Sequence, residues 1–130
     1  MSATKAVISR ILISDRSQQQ FVVLHEVNGP RVLPISIGTF EALAINRFAL
    51  GQTMERPLTH ELLANSIEQL GFKITRIVVT DLRNDIFYAK IYVSKNSTAH
   101  EIDARPSDAI AIATKTGAEI YPNSLRIYGQ

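Results

Sequence analysis

The sequence has 130 residues and contains no cysteine and no tryptophan. Without cysteine there is no disulfide framework, no thiolate metal site and no cysteine nucleophile. The absence suits a reducing compartment. No apolar run approaches the roughly 20 residues that a membrane helix needs. The first ten residues, Met1 to Arg10, carry charge early and lack a long apolar centre, so they make a poor signal peptide. We expect a cytoplasmic protein with no membrane partner. An excess of one charge is lacking too. Fourteen basic residues face twelve acidic ones, a net charge of +2, which is not the footprint of a strongly basic nucleic-acid binder. Also absent are the G-x-x-x-x-G-K loop, the G-x-G-x-x-G turn, H-E-x-x-H and G-x-S-x-G. Their absence argues against a P-loop NTPase, a Rossmann oxidoreductase and an elbow-type serine hydrolase.

What is present is ordinary globular composition, 45% hydrophobic and 20% charged. A chain of this length is expected to be one domain that buries roughly two-thirds of the surface its unfolded form exposes. No composition shift marks a linker and no internal repeat is visible. Arginine exceeds lysine nine to five. The guanidinium fork suits two-point contacts with carboxylates or phosphates, internal salt bridges included.

Ala6 to Ile13 and Gln20 to His25 read as a hairpin around a polar turn at Ser14 to Gln18. Arg31 to Ile37 is a third strand. Pro34 within it has no N–H to give and is expected at an edge or a bulge. Gly38 opens a helix with Glu41 near its start; Ala42, Ile45, Phe48 and Ala49 make its apolar face and Gly51 ends it. Thr59 is expected to cap a second helix with Leu62, Leu63, Ser66, Ile67 and Leu70 on one face, closed by Gly71. Lys73 to Thr80 and Ile86 to Val93 are strands across a turn at Asp81 to Asp85. In the second, Phe87, Ala89, Ile91 and Val93 point one way and Tyr88, Lys90 and Tyr92 the other. Ala99 to Ala104 is a short strand. Pro106 starts a third helix with Ala109, Ile110, Ala113 and Thr114 on its face, ended by Gly117. Glu119 to Tyr121 and Leu125 to Tyr128 are short final strands. Hairpins dominate and strict β-α-β alternation is missing. The expected fold class is therefore α+β: a mixed, mostly antiparallel sheet with about three helices in a single compact domain.

Three segments carry chemistry. In Ile102-Asp103-Ala104-Arg105-Pro106-Ser107-Asp108, two carboxylates, an arginine and a serine crowd a helix entry. They are suited to a hydrated divalent cation with Arg105 on a phosphate. The bland alternative is that Ser107 and Asp108 cap the helix while Arg105 pairs with a carboxylate. In Arg56-Pro57-Leu58-Thr59-His60-Glu61, His60 is a candidate general base or metal ligand, or simply a histidine bonded to backbone or water. Glu41 is a third ligand for the same centre, or an acid stabilised by the helix dipole. Tyr88 and Tyr92 beside Lys90 make either a base-stacking stripe or an ordinary packing cluster.

Taken in order, Arg31-x-Leu33-Pro34-Ile35-x-Ile37-Gly38-x-x-Glu41-Ala42, Arg56-Pro57-Leu58-Thr59-His60-Glu61-Leu62-Leu63, Asp85-x-Phe87-Tyr88-Ala89 and Ile102-Asp103-Ala104-Arg105-Pro106-Ser107-Asp108-Ala109-Ile110-Ala111 resemble the bifunctional nuclease family. The resemblance runs over about residues 5 to 122 and implies a compact α+β domain. Plant members are described as nucleases acting on both RNA and DNA, so it also implies a nucleic-acid substrate. Some members continue beyond the domain; this chain is expected to be that domain alone.

We assign roles to the matching positions as a hypothesis. Glu41, Asp103 and Asp108 gather around Mg²⁺ or Mn²⁺, which activates water for attack on phosphorus. His60 is general base or acid. Arg105, with Arg56, neutralises charge in the transition state, and Arg31 and Lys90 contact backbone phosphates. An enzyme working on both sugars must ignore the 2′-OH, so it reads phosphate and stacks bases, single-stranded DNA or RNA being the partner. The rival expectation is a non-catalytic interaction or nucleic-acid-binding module in which each arginine is tied to a buried acid. A third is a self-associating scaffold, a homo-oligomer whose second subunit covers an open sheet edge.

Overall fold

Alternation of apolar and polar residues builds the sheet, and a computed structural model describes it for residues 4–14, 19–80 and 86–123. The strands are β1 (Ala6–Leu12), β2 (Gln20–Glu26), β3 (Val32–Ile37), β4 (Lys73–Thr80), β5 (Tyr88–Lys95), β6 (Thr98–Ala104) and β7 (Glu119–Asn123). The helices are α1 (Thr39–Ala49), α2 (Thr59–Gln69) and α3 (Pro106–Thr116). All seven strands lie in one sheet in the order β3-β2-β1-β7-β4-β5-β6. Two antiparallel ribbons, β1–β3 and β4–β6, are joined by β7, which runs parallel to β4 and antiparallel to β1. The result is the expected α+β domain with three helices and a mixed, mostly antiparallel sheet. The expected turns at 15–18 and 81–85 and the final strand at 125–128 lie outside the described residues.

Pro34 does sit in an edge strand, β3, where a missing N–H breaks no interior ladder. Along β5, Ala89, Ile91 and Val93 are buried while Tyr88, Lys90 and Tyr92 face the other way, as the period-two pattern requires.

The helices depart from expectation in an instructive way. Helix α3 is buried on all sides over Ala109 to Ala113, not on one face. It packs against α1, α2, β4, β5 and β7 at once, and an all-round apolar helix is the kind that suits such a slot. In α1 the buried set is Ala42, Ala44, Ile45 and Phe48; Ala49 is exposed. In α2 the leucines expected to be buried are outside: Leu62, Leu63 and Leu70 are all exposed. Its buried residues are Glu61 and Ala64, with Ile67 packed against the core beside them. The cap of α2 is Leu58 rather than Thr59, and Glu61 accepts the Leu58 N–H at 2.9 Å. Among the described residues no helix is long and apolar enough to cross a membrane.

Candidate functional site

Each helix carries an acid at its third position: Glu41 in α1, Glu61 in α2 and Asp108 in α3. The dipole of a helix N-terminus favours a carboxylate there. The starts of the three helices converge, with β6, on one open cleft of about 680 Å³. That is within the range of ligand sites. Phe40, Glu41, Arg47, His60, Arg105 and Asp108 are among the side chains around it.

Arg105 organises the polar part. It is the extended residue between β6 and α3, so its backbone caps α3 through Ala109 N–H while its side chain turns back. Nε donates to Asp108 Oδ2 at 2.9 Å and Nη2 to Asp108 Oδ1 at 3.1 Å. Nη2 also donates to Glu41 Oε2 at 3.0 Å, tying α1 to α3. Asp108 Oδ1 accepts a further bond, from His60 Nε2 at 2.8 Å, tying α2 to the same point. The carboxylates and the imidazole are largely enclosed, but the Arg105 side chain is 63% exposed.

The electrostatics follow from these contacts. Hydrogen bonds to Asp108 and then Glu41 hold the Arg105 guanidinium well above its ordinary value, against the effect of burial, so it is always charged. At Asp108, desolvation pushes the carboxyl up, but the bonds from Arg105 and His60 together outweigh it and hold the group below its ordinary 3.8. Asp108 is therefore an ionised acceptor, and the His60 nitrogen facing it must be the donor. This leaves Nδ1 of neutral His60 with the lone pair. The ring is steadied edge-on by Phe48, at 6.4 Å between centroids.

Of the residues expected to act together, the structure joins Glu41, His60, Arg105 and Asp108 in one hydrogen-bonded group. Asp103 reaches the rim, but its register partner is Lys90, on the sheet face away from the helices. Arg105 sits between Glu41 and Asp108, where a shared ion would have to lie. Among the described residues no three His, Asp or Glu side chains are grouped to hold a metal. The arrangement does not fit Mg²⁺ or Mn²⁺ bound jointly by Glu41, Asp103 and Asp108. The three expected substrate-binding residues are dispersed. Arg31 lies by β3 at the opposite edge of the sheet from β6, 3.7 Å from Glu26. Lys90 pairs with Glu101 at 3.5 Å on the far face. Arg56 is exposed in the connection between α1 and α2.

Two cleft residues escape a reading of the sequence. Arg47 lies 4.9 Å over the Phe48 ring, with Nη2 3.7 Å from Glu61 Oε1. Its Nε is buried without a hydrogen-bond partner among the described residues. Phe40, 84% exposed, stands on the first turn of α1 next to Glu41. With Leu43 and Ala44 of the same helix it lines the cleft.

Comparison with known proteins gives this geometry a family. A sequence model of the bifunctional nuclease domain matches residues 22–125, four-fifths of the chain. An uncharacterized protein of Mycobacterium tuberculosis is 39% identical over 111 residues, covering 85% of this chain and 66% of the relative. Bifunctional nuclease 2 of Arabidopsis thaliana is 25% identical over 100 residues, covering 75% of this chain and 30% of that protein. Bifunctional nuclease 1 of Oryza sativa subsp. japonica is 24% identical over 115 residues, covering 85% and 35%. The chain thus spans just under two-thirds of the bacterial relative and about a third of the plant ones. The match over most of its length shows that the chain belongs to the bifunctional nuclease domain family.

Proposed function

We propose that the chain is a nuclease that hydrolyses phosphodiester bonds of DNA and RNA at the cleft where the three helices begin. The observation that carries this reading is the His60–Asp108 pair at 2.8 Å beside a largely exposed Arg105. An ionised acid that orients an imidazole, next to a fixed positive charge, is the equipment for acid–base attack on an anionic ester. His60 Nδ1 takes a proton from water as its oxygen bonds to phosphorus. The imidazolium, stabilised by Asp108, returns that proton to the departing sugar oxygen as its bond to phosphorus breaks. Arg105 balances the charge that builds on the non-bridging oxygens. None of these groups needs the 2′-OH, which is consistent with action on both sugars.

A second reading rests on the same bonds. Arg105 joins α1 to α3 and His60 joins α2 to α3, so the cluster also serves as a tie in a non-catalytic interaction module.

Cleavage of quenched single-stranded DNA and RNA oligonucleotides separates the two, run with Mg²⁺, with Mn²⁺ and with EDTA. The nuclease reading expects His60→Gln to lose roughly 100-fold or more in rate, as for removal of a general base, with its fold verified by circular dichroism. Equal cleavage by wild type and variant, or none by either, moves the assignment to the interaction module. Loss in EDTA for wild type alone would show an ion acting at the site.

A further inference from the structure

The exposed ring of Phe40 is unexplained by the fold and by the acid–base group. Phe40 is 84% exposed and lines the cleft together with exposed Leu43, Leu58, Leu63 and Ile102, and a contiguous exposed apolar patch marks a binding surface. Its neighbours narrow the partner. Phe40 adjoins Glu41, whose carboxylate is already bonded to Arg105, and Asp108 is likewise spent on Arg105 and His60. Arg105 uses Nε and Nη2 in these bonds, and neither Nη1 hydrogen has a partner among the described residues. An anion reaching this rim meets the open Nη1 donors of Arg105, flanked by the carboxylates that Arg105 already binds. A flat apolar ring and such donors on the lining of one cleft match a ligand that is flat and apolar on one side and anionic on the other. A nucleotide with its base unpaired is such a ligand.

We propose that Phe40 is the platform on which an unpaired base of single-stranded DNA or RNA stacks, setting the adjoining phosphate against Nη1 of Arg105. This rests on the nuclease reading of the same cleft and makes Phe40 a positioning residue. Paired bases have their faces covered, so duplex is disfavoured. Ring faces occur on every base, so sequence and sugar matter little.

The chain has no tryptophan, so Phe40→Trp places a single tryptophan on the platform, whose emission is read apart from that of the tyrosines. Quenching of that fluorescence by short oligothymidylate and by oligouridylate, and not by an abasic oligonucleotide of equal length or by duplex, is the expected result. Direct binding by anisotropy should weaken roughly 5- to 100-fold in Phe40→Ala. It should weaken comparably in Phe40→Leu, which is apolar but not flat, and recover in Phe40→Tyr. Equal quenching by the abasic strand, or full affinity in Phe40→Leu, overturns the proposal. So does a fluorescence change that follows protein concentration alone, which would put a second copy of the chain on the ring. The two readings fail separately. His60-dependent cleavage without base-dependent quenching removes the platform and leaves the nuclease. Base-dependent quenching without cleavage keeps the platform and removes the chemistry.

Discussion

Arg105 and Glu41 lie 64 residues apart in sequence and meet at 3.0 Å, each at the start of a helix. One guanidinium thereby fixes the separation of α1 and α3, while its other bonds hold Asp108 in place for His60. Position and chemistry at this site depend on one side chain.

Arg105→Ala should therefore lower stability as well as activity. It removes three charge-assisted bonds, leaves Glu41 without its Arg105 partner and leaves Asp108 with His60 alone. Discounted for the solvent around the guanidinium, the cost is about 1–2 kcal/mol. At about 3–6 °C per kcal/mol for a domain this size, thermal unfolding will show it. Arg105→Lys keeps the charge but cannot form the fork, and should recover little of either property. Full recovery by lysine would mean that charge alone matters here.

Asp108 contributes a pH dependence with a definite sign. Its carboxyl is held below 3.8 in the folded chain, so the unfolded state binds the proton more readily. The stabilisation is complete above the unfolded value and is lost as pH falls through the lower, folded value. Urea unfolding of wild type and Asp108→Asn should show a gap that narrows as pH falls below about 4, the ordinary range of an aspartate. A gap that widens below that pH would refute the assignment.

A methyl group at Gly38 would collide with the Glu41 carboxylate, which folds back over that glycine. Gly38→Ala should push Glu41 off Arg105 and weaken the cluster by up to about 1 kcal/mol. The same change in a Glu41→Ala background should cost little, because the colliding group is gone. A double-mutant cycle measures the coupling, and additive costs would mean that Glu41 moves aside freely.

Ala111 and Ile112 are fully buried although they lie off the apolar face that spacing suggests for α3. Ala111→Leu should destabilise by about 1–3 kcal/mol through overpacking. Leu62→Gln on α2, by contrast, should change stability by less than about 0.5 kcal/mol, because Leu62 is exposed. Denaturant midpoints of the two variants test the burial of both helices together.

The same helices mark how far the sequence could be read. Strand patterns were legible because a period of two leaves little ambiguity, as β5 shows. Pro34 announced an edge by chemistry alone. Spacing misled in α2, where Leu62, Leu63 and Leu70 form a regular stripe that tertiary packing turns outward in favour of Ala64. In α3 the run Ala-Ile-Ala-Ile-Ala from Ala109 to Ala113 has no polar side, and a slot between sheet and helices consumes all of it. At the cleft, Glu41, His60, Arg105 and Asp108 are visible as motif residues, but their bonding is not. Asp103 shows why. It sits one residue from Ile102, and one step along a strand exchanges the cleft for the opposite face. Phe40 was invisible as a site residue because a buried and an exposed phenylalanine look alike at the start of a helix.

The last described strand occupies the middle of the sheet, with Ile120 opposite Ala6 on one side and Ile77 on the other. A chain made from its N-terminus therefore emerges as two separate ribbons, one of β1 to β3 and one of β4 to β6, each able to pair from local hairpins. Neither can join the other through β7 until Glu119 to Asn123 have been synthesised. The core seals late, when α3 has laid down its buried face and β7 slides into the gap. Assembly of this domain waits on the five residues of β7, and the slow step should be that closure rather than the forming of either ribbon.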